Sequence, residues 1–230
     1  SGLSFFLRSK GLEDITQVFP IKRLVDGCRR RHLRKDVRCP ITLPILQRLV
    51  SVLPTVCSNS YDCKLFVAAF LVAFFGFLRV GEFTAKNGVI PLVSGDVAMR
   101  GESPHRRLAI TVRFSKTDQL GAGCAITIPE SGSHICPVVA VAAYTRIRSA
   151  QGTAFFRHFD TSPLTRHGFT RILRRCVSLL ELPLQCYTAH SFRIGAATSA
   201  AMRGYSGEQI QQMGRWTSQS FRRYIRIDPQ

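Results

Sequence analysis

Acidic residues are scarce in this chain. Against 32 Lys and Arg it carries 14 Asp and Glu in 230 residues, and most of those acids fall in loops or beside basic residues. A nuclease or transposase that works through divalent cations needs two or three carboxylates gathered around the metals. No convincing set can be picked out, so that class is set aside and no metal or other cofactor is expected. The eight cysteines, at 28, 39, 57, 63, 124, 136, 176 and 186, include no pair at the two-residue spacing of a zinc knuckle or a redox motif. The uncharged apolar run 65–78 falls short of the roughly 20 residues that a bilayer span needs, so no membrane partner is expected. Internal repeats, low-complexity tracts and an N-terminal signal-peptide pattern are also lacking. So are the aromatic-rich strands of an RRM-like sheet, which disfavours a basic scaffold for RNA.

What is present is cationic. The formal net charge is +18, and a surplus of that size calls for a polyanionic partner, commonly nucleic acid. Basic residues are denser at 29–35, 171–175 and 221–227 but otherwise spread along the chain, which suggests a wrapped groove more than a sticky tail. The run 29–35, "RRRHLRK", reads either as a nuclear address or as a solvated helix end that touches phosphate. With 45% apolar residues the chain can bury one good core, so one domain plus a small appendage is the natural count. Several cysteines lie inside apolar periodic segments and read as small core residues in a reducing compartment.

Residues 1–38 carry one helix-like stretch, "PIKRLVDGCRRRHL", too little for a domain. From Thr42 the pattern is dense. "ITLPILQRLVSVL" opens with Thr and has Pro in its first turn, two signs of a helix start. "FVAAFLVAFFGFLRVGEF" (66–83) is apolar all round, so a core helix surrounded by protein is expected. Three β-like stretches follow at 96–100, 107–115 and 125–130, most simply a small antiparallel sheet. Helices return after Pro137 with "VVAVAAYTRIRSA", "LTRHGFTRILRRCVSLLEL" and "AHSFRIGAATSAAMRG", the last capped by Gly204. Ser206 and Gln209 form a capping box for one more short helix, and "SQSFRRYIR" makes a final helical turn or two. The fold class is α+β, predominantly α-helical.

Four places can do chemistry. Arg79 stands at the end of the apolar helix with Glu82 one helical turn on. A buried guanidinium needs an anion, and Glu82 supplies one locally; the sharper reading is that its remaining donors face a ligand phosphate or carboxylate. His190 and Arg193, at i and i+3 at the start of a helix, make a plausible phosphate pocket with the free amides there, although H-x-x-R in isolation is a weak pattern. The Gly and Ala run that follows says that this helix packs closely on another element and holds the pair rigidly. The single Trp, Trp216, precedes Tyr224 by eight residues, an aromatic pair that would ordinarily be core packing. Tyr224 is flanked by Arg222, Arg223 and Arg226, and a phenol among cations loses its proton below its usual value of about 10, becoming a possible nucleophile on phosphorus. Lys116, at the tip of the hairpin after the second strand, reads as a surface lysine or as a mobile proton donor reaching into a groove.

The ordered set "FFGFLRVGE", "SKTD", "HSFRIGAAT" and "GRW" followed shortly by Tyr resembles the catalytic domain of the tyrosine recombinases, most of all the branch carried by DIRS-type and Crypton-type mobile elements and their domesticated descendants. The resemblance covers about residues 40–228. It implies that Arg79 is the first catalytic arginine with Glu82 as its supporting acid, Lys116 the β-hairpin lysine, His190 and Arg193 the H-x-x-R pair, Trp216 the occupant of the His-or-Trp position, and Tyr224 the nucleophile. The spacing from Trp216 to Tyr224 is one shorter than in the best-known phage and bacterial members. By the same resemblance residues 1–38 are the remnant of an N-terminal DNA-clamping domain and its linker, and 39–230 the catalytic domain. Implied further are double-stranded DNA as partner, a homo-tetramer on DNA, no small-molecule substrate, residence in the nucleus, and metal-independent cleavage and rejoining through a 3′-phosphotyrosyl link. The alternative is a catalytically silent, domesticated DNA-binding module.

Overall fold

The computed structural model describes residues 2–31, 36–113 and 123–227, with Arg29 and Arg30 as backbone only. It divides into two units, Ser1–Val37 and Arg38–Gln230. In the first, helices α1 (Gly2–Ser9) and α2 (Phe19–Arg31) flank a 3-10 turn at Ile15–Gln17. Asp14 organises the turn: its carboxylate accepts from Ser4 Oγ, from Arg8 Nε at 3.0 Å and from the Thr16 amide at 3.2 Å. The helix expected near 20–33 is α2. Helix α1 was not expected from sequence; it is eight residues long and buries no side chain.

The second unit is built around the apolar helix. Helix α3 (Leu43–Val56) starts after an extended Thr42, has Pro44 in its first turn, and buries Leu46, Leu49, Leu53 and Val56, the spacing of one helical face. Helix α4 (Ser60–Phe75) is started by Asn59, whose side chain accepts from the Asp62 amide at 2.8 Å. Ten of its residues from Tyr61 to Phe74 are buried, on every side. They pack against α3 and against two later helices, α5 (Pro137–Ile147) and α7 (Ser191–Met202). Helix α6 (Arg166–Leu179) lies on α3. Strands β1 (Val97–Arg100), β2 (Arg107–Val112) and β3 (Cys124–Pro129) form one antiparallel sheet in that order, with Leu108 opposite Ile128 and Ile110 opposite Ile126. Leu108, Ile110, Val112 and Ile128 face the core. Of the cysteines, Cys136 and Cys176 are buried, Cys39, Cys57, Cys63 and Cys186 are half-buried, and Cys28 and Cys124 are exposed, the last as the first residue of the outer strand β3. No helix among the described residues is long and apolar enough to cross a membrane.

The ends of the helices position everything that follows. Helix α7 closes in a Schellman motif, with Gly204 at φ 82° and bonds from the Gly204 and Tyr205 amides to the carbonyls of Ala201 and Ala200. Helix α8 (Gly207–Met213) has the expected reciprocal capping box between Ser206 and Gln209. Helix α4 stops sooner than its apolar run. The Phe77 and Leu78 amides bond to the carbonyls of Phe74 and Ala73, and Phe77 takes the left-handed conformation, φ 49°, usual for glycine. Arg79 is therefore outside the helix, in extended backbone, and Glu82 ends a separate 3-10 turn, Val80–Glu82.

Candidate functional site

Three segments far apart in sequence meet at the turn after α4. Arg79 donates its Nη1 to Glu82 Oε1 at 2.8 Å, and its backbone amide to Glu82 Oε2 at 3.0 Å. Glu82 is buried, 3% exposed, whereas the Arg79 side chain is 21% exposed. At this site the wholly buried arginine is Arg193, and Arg157 is as deeply buried elsewhere in the unit; the exposure of Arg79 is a reversal of the sequence expectation with a local cause. Because α4 ends at Phe75, Arg79 has left the core before its side chain begins.

Arg193 is carried by α7, and α7 is pressed onto the chain entering α3. Its small residues allow this: a Cβ on Gly195 would lie 1.7 Å from the Ile41 carbonyl oxygen. His190 stands at the N-cap. The amides of that helix start are less open to an anion than expected, since the Ser191 amide donates to the Thr188 carbonyl and the Arg193 amide to the His190 carbonyl. The pocket must be made by side chains. Arg193 donates its Nη1 to the Phe77 carbonyl and its Nη2 to the Gly214 carbonyl, and its guanidinium carbon lies 4.2 Å from the Trp216 ring and 5.8 Å from the Tyr224 ring. Burial, and next the Arg79 cation, push its pKa down to about 9, with Arg215 adding to the fall and Glu82 and Tyr224 opposing it.

The third segment folds back over these groups. At Gly214 the Trp216 ring occupies the space a Cβ would need, with a ring carbon 1.6 Å from the Cβ position, so only glycine lets the indole lie there. Tyr224 ends a 3-10 helix, Gln219–Tyr224. It is tied to α7 through Thr198, whose Oγ1 donates to the Tyr224 carbonyl and accepts from the Arg226 amide, both at 3.1 Å. The Tyr224 ring is 5.0 Å from that of His190 and 4.9 Å from that of Trp216. Its cationic surroundings differ from the expectation. Arg222 and Arg223 are exposed and Arg226 Nη1 donates to the Arg38 carbonyl at 2.7 Å, so the guanidinium against the phenol ring is that of Arg193.

Arg79, Glu82, His190, Arg193, Trp216 and Tyr224 are thus brought together. Lys116 falls within 114–122, outside the described residues. Arg215 went unread in the sequence: it donates to the carbonyls of Gly76 at 3.0 Å and Phe77 at 3.3 Å and to Glu82 Oε2 at 2.9 Å. Its one sequence signal was its place in "GRW". Three guanidiniums stand here beside one carboxylate, which accepts from two of them. Buried N–H groups of Arg193 Nε, Arg215 Nε and Trp216 Nε1 have no acceptor among the described residues. Such a site is short of acceptors and of negative charge, which is what a phosphate diester carries. No group of three or more His, Cys, Asp or Glu among the described residues is placed to hold a metal ion.

No protein-family model matches the chain, and no curated protein matches its sequence. Solved structures share its fold. The XerH site-specific recombinase, bound to its palindromic difH substrate in a post-cleavage complex, superposes with a TM-score of 0.62 at 14% identity, over 82% of this chain and 49% of that one. The XerA recombinase gives 0.60 at 18%, over 99% and 76%, and the Tn1549 transposon integrase, in complex with circular intermediate DNA, 0.58 at 15%, over 98% and 79%. This chain spans about half the length of XerH. The mostly helical fold with its small three-stranded antiparallel sheet matches that of tyrosine recombinase catalytic domains.

Proposed function

We propose that this chain cuts and rejoins double-stranded DNA by metal-independent transesterification, with Tyr224 as nucleophile. The observation that carries the reading is the set of acceptor-less buried donors, on Arg193, Arg215 and Trp216, beside the Tyr224 ring. The Tyr224 oxygen attacks the phosphorus and gives up its proton, with His190 beside it to take the proton or to hold the phosphate. The bond from phosphorus to the 5′-oxygen breaks, leaving a 3′-phosphotyrosyl link and a 5′-hydroxyl whose proton comes from Lys116. Arg79 and Arg193 hold the non-bridging oxygens as charge builds on five-coordinate phosphorus, and Trp216 Nε1 donates to one of them. A preorganised donor of this kind is worth roughly 3 kcal/mol of barrier. The planar guanidinium fork suits phosphate better than an ammonium does.

The finer reading is that the activity integrates a mobile element of the DIRS or Crypton type, in the nucleus and as a tetramer on DNA. It rests on the motif resemblance and on the basic run 29–35.

The test incubates the chain in EDTA with a pooled library of nicked suicide duplexes and looks for an SDS-resistant protein–DNA adduct. The adduct is expected with wild type and absent with Tyr224→Phe. An adduct that needs magnesium, or one that survives in Tyr224→Phe, would overturn the mechanism. Salt-sensitive binding with no adduct would make the chain a silent DNA-binding module.

A further inference from the structure

Arg215 sits in the left-handed region, φ 55°, where a non-glycine residue is strained and persists only if its surroundings hold it there. Three hydrogen bonds do so, and all end on the turn after α4 that carries Arg79. Glu82 receives donors from two arginines: Oε1 takes Arg79 Nη1, while Oε2 takes Arg215 Nη2 and the Arg79 amide. A carboxylate with a single guanidinium partner favours the two-armed fork, which would draw both of its oxygens onto Arg79. With Oε2 held by Arg215 and by the Arg79 amide, Glu82 engages the Arg79 guanidinium through one nitrogen.

We infer that Arg215 is a positioning residue: by holding Glu82 Oε2 it keeps the Arg79–Glu82 pair one-armed, leaving the remaining Arg79 donors for the phosphate. Through the carbonyls of Gly76 and Phe77 it also fixes the Arg79 turn against the segment bearing Trp216 and Tyr224. Phe77 is held from two sides, since its carbonyl also accepts from Arg193. The inference deepens the transesterification reading and rests on it for the identity of the anion.

Trp216 is the only tryptophan, so its emission reports this site alone. The test measures inorganic phosphate binding to the full chain by that emission, in wild type, Arg215→Gly, Arg215→Lys, Glu82→Gln and the Arg215→Gly/Glu82→Gln double variant. It also follows the Arg79 Nε–H signal by NMR. Glycine is chosen because φ 55° suits it. Arg215→Gly is expected to weaken phosphate about tenfold, the size of one charge-assisted hydrogen bond. Lysine, which keeps a cation at Glu82, should recover most of the loss. In the Glu82→Gln background the same glycine substitution should change affinity less than about twofold, because the route through Glu82 is gone. A mere loss of positive charge would act equally in both backgrounds. Unchanged affinity in Arg215→Gly, losses that multiply in the double variant, or no recovery with lysine would each overturn the inference. If wild-type emission does not respond to phosphate, the transesterification reading is what fails. The inference is then decided by the Arg79 Nε–H signal, which must move in Arg215→Gly and return in Arg215→Lys.

Discussion

Arg193 holds a cation among carbonyls and ring faces, and its titration follows from that. Burial pushes its pKa down to about 9 in the fold, well below that of an ordinary arginine. Between those values the unfolded chain binds the extra proton, so this group's contribution to stability improves as pH rises through that window. Anion binding runs the other way, because it is the protonated guanidinium that attracts phosphate. In a Tyr224→Phe background, which removes the phenol, affinity for inorganic phosphate should hold to about pH 9 and then fall about tenfold per pH unit, as one linked proton requires. Affinity that stays flat to about pH 10.5 would contradict the placement of Arg193. Residue types at this site were legible: an arginine closing an apolar run, H-x-x-R at a helix start, a lone Trp ahead of a Tyr. Arg215 was not, because its place in "GRW" names no role and its partner Glu82 is 133 positions away.

The helices and strands came close to their sequence signals because caps and alternation are local. The expected strands at 96–100, 107–115 and 125–130 lie at 97–100, 107–112 and 124–129, and the Gly204 and Ser206 caps stand where they were read. The exception is the end of α4. Apolar composition continues through Leu78, yet the backbone turns left-handed at Phe77, which composition cannot register. Close packing of α7 was legible as a run of small residues, and its partner is the backbone at Ile41. Gly195→Ala must push the two apart, since the contact is with the Ile41 backbone and not with a side-chain tip. A loss of about 1–3 kcal/mol is expected from the chemical denaturation midpoint. An unmoved midpoint would mean that α7 is not seated against Ile41.

Across the molecule, a net charge of +18 makes counterion release the main sequence-independent term in the proposed binding of DNA. Affinity for a random duplex should fall by about a thousandfold or more between roughly 50 and 200 mM salt. A flat response would argue against a groove that tracks phosphates. Charge, the apolar helix, the three short strands and the chemical types of the site residues can all be read from the chain order, since each depends on neighbours a few positions apart. Which arginine is buried, which cation faces the phenol, and how one carboxylate serves two guanidiniums cannot be read that way. Those answers depend on where α4 ends and on contacts across more than a hundred residues, from Arg193 and Arg215 to the Phe77 carbonyl, and such contacts exist only once the helices have packed.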